Sequence, residues 1–131
     1  MKIFSLIFFG FFCVLAIAKP PPNIMKNSEE LATVQAALDI CFMSSEYKSF
    51  KTNKALDFHG ISSSIDRVLE KYEKKYDNSG MLYMAFKVSA VKYSDDKDFR
   101  AKLYQIYGKS CSEKMLQDAV EKIKEVDARS Y

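Results

Sequence analysis

The chain has 131 residues, with 20 lysines and arginines against 17 aspartates and glutamates, a formal net charge of +3. So even a balance gives no electrostatic case for a nucleic-acid partner or for strong attraction to anionic membranes. The length suits one domain built around one core.

The N-terminus sets the compartment. Met1 and Lys2 precede an apolar run over residues 3–15, which ends in Ala16-Ile17-Ala18. A positive start, a short apolar core and a small-x-small exit are the parts of a secretory signal peptide, expected here over residues 1–18. A membrane-spanning helix needs about 20 apolar residues. Lys19 and the prolines at 20, 21 and 22 close this run too early, and no later run is longer, so the expected product is not transmembrane. Cleavage after Ala18 removes Lys2 and leaves 19 basic against 17 acidic residues in an extracellular chain.

Of three cysteines, Cys13 lies inside the leader, so Cys41 and Cys111 remain as the one pair in an oxidising compartment. The expectation is a disulfide between them. Closing a loop of that length removes about 4 kcal/mol of unfolded-chain entropy, a large share of the stability of a small domain.

Residues 19–26 carry no periodicity and read as a flexible, proline-led leader. From 27 to 131 the pattern is that of a single helical domain. Leu31, Val34, Leu38, Cys41 and Phe42 recur at steps of three and four and predict an amphipathic helix over 27–43, with Asn27 or Ser28 as cap and Glu30 completing a capping box. The period is lost over 51–60, where Leu56, Phe58 and His59 sit in a loop that Gly60 terminates. A second helix over 62–77 presents Ile61, Ile65, Val68, Leu69, Tyr72 and Tyr76, capped by Ser62 or Ser63 and stopped at Asn78-Ser79-Gly80.

Residues 81–93 fit two periods. Met81, Met84, Ala85, Val88 and Val91 suit a helix, whereas Leu82, Met84, Phe86 and Val88 alternate as a strand would. A lone strand would leave its backbone unpaired, so helix is preferred, and its nearly all-round apolar character predicts the most central helix of the bundle. Ser94, followed by Asp95, Asp96 and Asp98, predicts the next helix start, with Gly108 as its stop. A last helix starts near Ser112 and buries Leu116, Ala119, Val120, Ile123 and Val126, leaving Glu113, Lys114, Asp118, Lys122 and Lys124 outside. The expected fold class is therefore all-α, a compact bundle of about five helices with one disulfide.

Chemistry has few carriers. His59 is the single histidine, and its neighbours Ser62, Ser63 and Ser64 form no nucleophile-elbow pattern. One histidine and two paired cysteines are too few for zinc, and Asp95, Asp96 and Asp98 lack the alternation of a calcium loop. The expectation is a protein that is not an enzyme and needs no cofactor or metal. Lys48, Lys51, Lys54, Lys71, Lys74 and Lys75 could form a basic patch for a receptor, a channel vestibule or lipid headgroups, though an ordinary solvated surface accounts for them as well. Phe42, Met43, Tyr72, Met81, Met84, Phe86 and Met115 supply the rings and thioethers that could line a cavity for a small apolar ligand, and helical spacing equally makes most of them core.

The Phe-rich leader ending Ala16-Ile17-Ala18, the Lys19-Pro20 start and the single pair Cys41 and Cys111 on an all-helical body resemble the small helical proteins secreted in arthropod venoms and saliva, including those of predatory bugs. The resemblance implies an effector acting by binding an unknown extracellular target such as a host protein. Size, leader and helix number also resemble the small helical insect carriers of odorants and pheromones, which implies the alternative of an extracellular carrier of a small hydrophobic ligand.

Overall fold

The computed structural model describes residues 20–49, 56–76 and 80–129. The expected signal peptide, Cys13, Lys19, Lys51, Lys54, Asn78 and Ser79 lie outside them. Five α-helices and no strand occur among the described residues: α1 Pro22–Met43, α2 Phe58–Tyr76, α3 Met81–Asp95, α4 Lys97–Tyr107 and α5 Glu113–Ala128, with a short 3-10 turn Ser45–Ser49 after α1. No helix of these is long and apolar enough to cross a membrane.

α1 is the hub, packed against α2, α3 and α5, with α3 its main partner. Ile24, Leu31 and Leu38 of α1 meet Ile65, Leu69 and Tyr72 of α2, Leu82 and Phe86 of α3, and Leu116 and Val126 of α5 in one fully buried cluster. Burying each such side chain contributes about 1.5–3 kcal/mol. α4 buries none of its residues completely. Leu103 and Tyr107 rest on the core edge, and Phe99 meets Tyr93 of α3.

Cys41, in the last turn of α1, is joined to Cys111 in the α4–α5 connector; both are fully buried and their Cα atoms are 4.4 Å apart. The Cys111 amide donates to Glu46 Oε2 at 3.1 Å, which ties the turn after α1 to the same connector.

Several helix starts differ from those expected. The residues read as the end of a flexible leader are the first turn of α1: proline lacks the amide that an N-terminus leaves unbonded, and its fixed φ is already helical, so Pro22 begins the helix while Ile24 and Met25 donate to Pro21 O. Asn27 and Ser28 are therefore buried inside α1 and do not cap it. α2 begins at Phe58, before Gly60, because Asp57 Oδ2 accepts from the Gly60 amide at 3.0 Å and supersedes Ser62 and Ser63 as cap. α3 runs on through Ser94 to Asp95, and Asp96 caps α4 by accepting from the Asp98 and Phe99 amides. Gly108, with φ of 70°, ends α4 in the left-handed conformation that favours glycine. Ser112 caps α5 as its position suggested.

α3 is not the most central helix. Leu82, Phe86 and Ala90 face the core, while Met81, Met84, Val88 and Val91 stand on the opposite, solvent side. Apolar residues all round a helix are compatible with burial on every side, but here one of the two apolar faces is uncovered.

Candidate functional site

A groove of about 270 Å³ runs between α1, α4 and α5. α1 contributes Thr33, Val34 and Ala37; α4 contributes Phe99, Leu103 and Tyr107; α5 contributes Met115, Asp118, Ala119 and Lys122. It exists because α4 is short and touches the bundle along one edge, leaving a slot beside α1. Ligand pockets usually span about 300–1,000 Å³, so this open groove falls just below their range.

One wall of the groove is polar and fixed. Tyr107 closes the last turn of α4; after Gly108 the chain doubles back through Cys111, which brings Asp118 opposite it. The Tyr107 hydroxyl donates to Asp118 Oδ2 at 2.8 Å, and Lys114 Nζ donates to Asp118 Oδ1 at 2.7 Å. Burial, reinforced by the bond to Asp118, pushes the Tyr107 phenol up to about 12. The Lys114 ammonium and then the Tyr107 hydroxyl hold the Asp118 carboxyl below its ordinary value, and the same contact raises Lys114. At neutral pH the wall is a neutral phenol on an ionised carboxylate, fit to orient a ligand by hydrogen bonds beside an apolar floor. Lys122 at the rim pairs with Glu125 at 3.5 Å.

The seven residues read as a ligand cavity do not come together. Tyr72 and Phe86 are fully buried core side chains, and Met115 is buried with one side on the groove. Phe42 stacks on Phe58 with centroids 4.4 Å apart, in an aromatic cluster with Tyr47 and His59. Met43 lies in a separate surface depression with Ile40, Ser94 and Arg100, and Met81 and Met84 point outward from α3. Helical periodicity assigns faces but cannot tell which faces converge on one void. The groove's polar wall was missed because Asp118 reads as solvated on the α5 pattern; its partner Tyr107 lies eleven residues back across a turn, where no local spacing signals it.

His59 stands exposed in the first turn of α2 against Phe42 and Phe58. Ser62 Oγ accepts from Gln35 at 3.3 Å, and Ser64 Oγ donates to Gly60 O at 3.1 Å while accepting from Arg67. Of the expected basic patch, Lys71 pairs with Asp127 and Lys74 with Glu70, both at 3.3 Å, and Lys75 lies over the Tyr76 ring. Among the described residues no group of three or more histidines, cysteines or carboxylates is placed to hold a metal. No protein-family model matches the chain, and neither the curated proteins nor the solved structures contain a match to it.

Proposed function

We propose that the chain is a secreted, non-enzymatic protein acting by binding, in the manner of the venom and salivary proteins it resembles. The Cys41–Cys111 link carries this reading: it ties the end of α1 to the α4–α5 connector, a staple stable in oxidising compartments, behind a leader of signal-peptide form. The test is to recover the protein from its source. Material concentrated in the fluid of a secretory gland, beginning at Lys19 and taking up no alkylating reagent before reduction, is the expected result. Even abundance across tissues, or two free thiols, overturns it.

A second reading, carriage of a small apolar molecule, is favoured by the groove between α1, α4 and α5. Displacement of an apolar fluorescent dye tests it: Leu103→Glu, on the groove floor, abolishes dye binding if this slot is the site, and a wild-type protein that binds no dye removes the reading.

A further inference from the structure

A surface depression of about 420 Å³ lies where the C-terminal ends of α1 and α3 meet the start of α4 and the connector before α5. That volume is within the range of small-molecule sites. α1 lines it with Asp39, Ile40 and Met43, α3 with Asp95, and α4 with Arg100. Ile40 is the neighbour of Cys41 and the lining residue Ser110 the neighbour of Cys111, so the disulfide pins two sides of the depression to each other. Charges of both signs share this wall without pairing: among the described residues Arg100, Asp39 and Asp95 form no ion pair. Two of the three are held in place by other groups. Arg100 Nε donates to Ser94 O at 2.6 Å, in the last turn of α3, which leaves the Nη groups as a fork of donors. Gln35 Nε2 donates to Asp39 Oδ1 at 2.9 Å, which leaves Oδ2 to accept.

We propose that this depression binds a free α-amino acid with an apolar side chain. A lone anion drawn to Arg100 would share the depression with two carboxylates, and a lone cation drawn to those carboxylates would share it with a guanidinium. A molecule that carries both charges a few bonds apart satisfies each. Its carboxylate accepts from the Nη groups of Arg100 as a planar bidentate pair, and its ammonium donates to Asp39 Oδ2 and to the Asp95 carboxylate. Ile40 and Met43 offer apolar surface to the side chain, the thioether adapting to its shape. Asp95 and Arg100 are exposed and Asp39 is half-buried, so water competes for every contact and the affinity is modest, roughly 0.1–1 mM. This site is separate from the groove between α1, α4 and α5, and the inference rests on neither reading of the function.

Isothermal titration of the oxidised chain at neutral pH and low salt with leucine, N-acetyl-leucine and leucinamide tests it. The expected result is saturable binding of leucine. Each derivative lacks one of the two charges and binds at least about tenfold more weakly, the worth of a charge-assisted hydrogen bond. Glycine, with no side chain to set against Ile40 and Met43, is weaker than leucine as well. Arg100→Gln, and the double variant Asp39→Asn with Asp95→Asn, each weaken leucine binding at least about tenfold with unchanged circular dichroism, while Lys102→Gln, elsewhere on α4, binds as before. Arg100→Gln also removes the bond to Ser94 O, so the comparison of ligands on the unaltered chain decides the matter should that variant unfold. No binding of leucine up to about 10 mM overturns the proposal. So does leucinamide binding as tightly as leucine, the mark of a plain cation site, or N-acetyl-leucine doing so, the mark of a plain anion site. Unweakened leucine binding in either folded variant overturns it too.

Discussion

Tyr107 and Asp118 share one hydrogen bond but respond to pH in opposite senses, Tyr107 raised first by its burial and Asp118 lowered first by Lys114, with the shared bond second in each case. Tyr107 is raised from 10.0 to about 12, so the stability it contributes is complete below pH 10 and is lost as the pH climbs from 10 towards 12. Asp118 is lowered, so its contribution is present above the ordinary carboxyl value and is lost as acid carries the pH through the lower folded value. An ultraviolet titration of tyrosinate is expected to show a late-ionising phenol that disappears in Tyr107→Phe, with a loss of about 1 kcal/mol of stability. Tyr93, whose hydroxyl donates to Glu29 at 2.6 Å, is also shifted upward and remains as a second late group in that variant. A second residue-scale knot ties the end of α5 to the first turns of α1: Arg129 Nε donates to Asn27 Oδ1 at 3.2 Å, and its guanidinium pairs with Glu30. Asn27 in turn donates to the buried Tyr72 hydroxyl. Arg129→Ala leaves Glu30, half-buried, without its cation, and denaturant unfolding is expected to register a loss of about 1–2 kcal/mol.

At the scale of elements, α3 shows what a sequence pattern can and cannot decide. Its N-terminus begins at Gly80, with φ of 82° and no side chain to cap the first amides. The cap comes from α2: Glu73 Oε2 accepts from the Gly80 amide at 2.8 Å and Oε1 from the Tyr83 amide at 3.0 Å. Glu73→Ala is expected to cost about 1 kcal/mol and to speed amide exchange over the first turn of α3 while leaving α5 protected. The faces of α2 and α5 were legible because Ile61, Ile65, Val68, Leu69 and Tyr72, and likewise Leu116, Ala119, Ile123 and Val126, repeat on the helical period and have one neighbour side to bury. The starts were less so. A cap donated by Glu73 from another helix, or an entry through proline at Pro22, leaves no serine or aspartate at the expected offset. Nor does the period of α3 distinguish a helix covered on both sides from one with an open apolar face, which is why Met81, Met84, Val88 and Val91 were expected inside. The groove was illegible for a related reason: it depends on where α4 rests against α1 and α5, and that placement is set by contacts far apart in sequence.

For the whole molecule, the disulfide acts where packing is thinnest. α1 holds α2, α3 and α5 by buried apolar contacts, but α4 contributes no fully buried side chain and the connector after it is irregular. Cys41–Cys111 anchors that connector to the hub across a separation of 70 residues, and Glu46 adds a bond to the Cys111 amide. This feature was readable from cysteine arithmetic, since removing Cys13 with the leader leaves one possible pair. Reduction frees a loop whose closure is worth about 4 kcal/mol, and a domain of this size loses about 4–8 °C in Tm per kcal/mol. Calorimetry of the reduced and alkylated chain is therefore expected to show melting about 20 °C lower. The loss should not be uniform. Because α4 and its connector lack core anchors of their own, hydrogen exchange in the reduced protein is expected to accelerate first over residues 97–112, while the α1–α2–α3 contacts keep their protection; simultaneous loss everywhere would mean that the link holds the whole bundle and not the groove-forming edge.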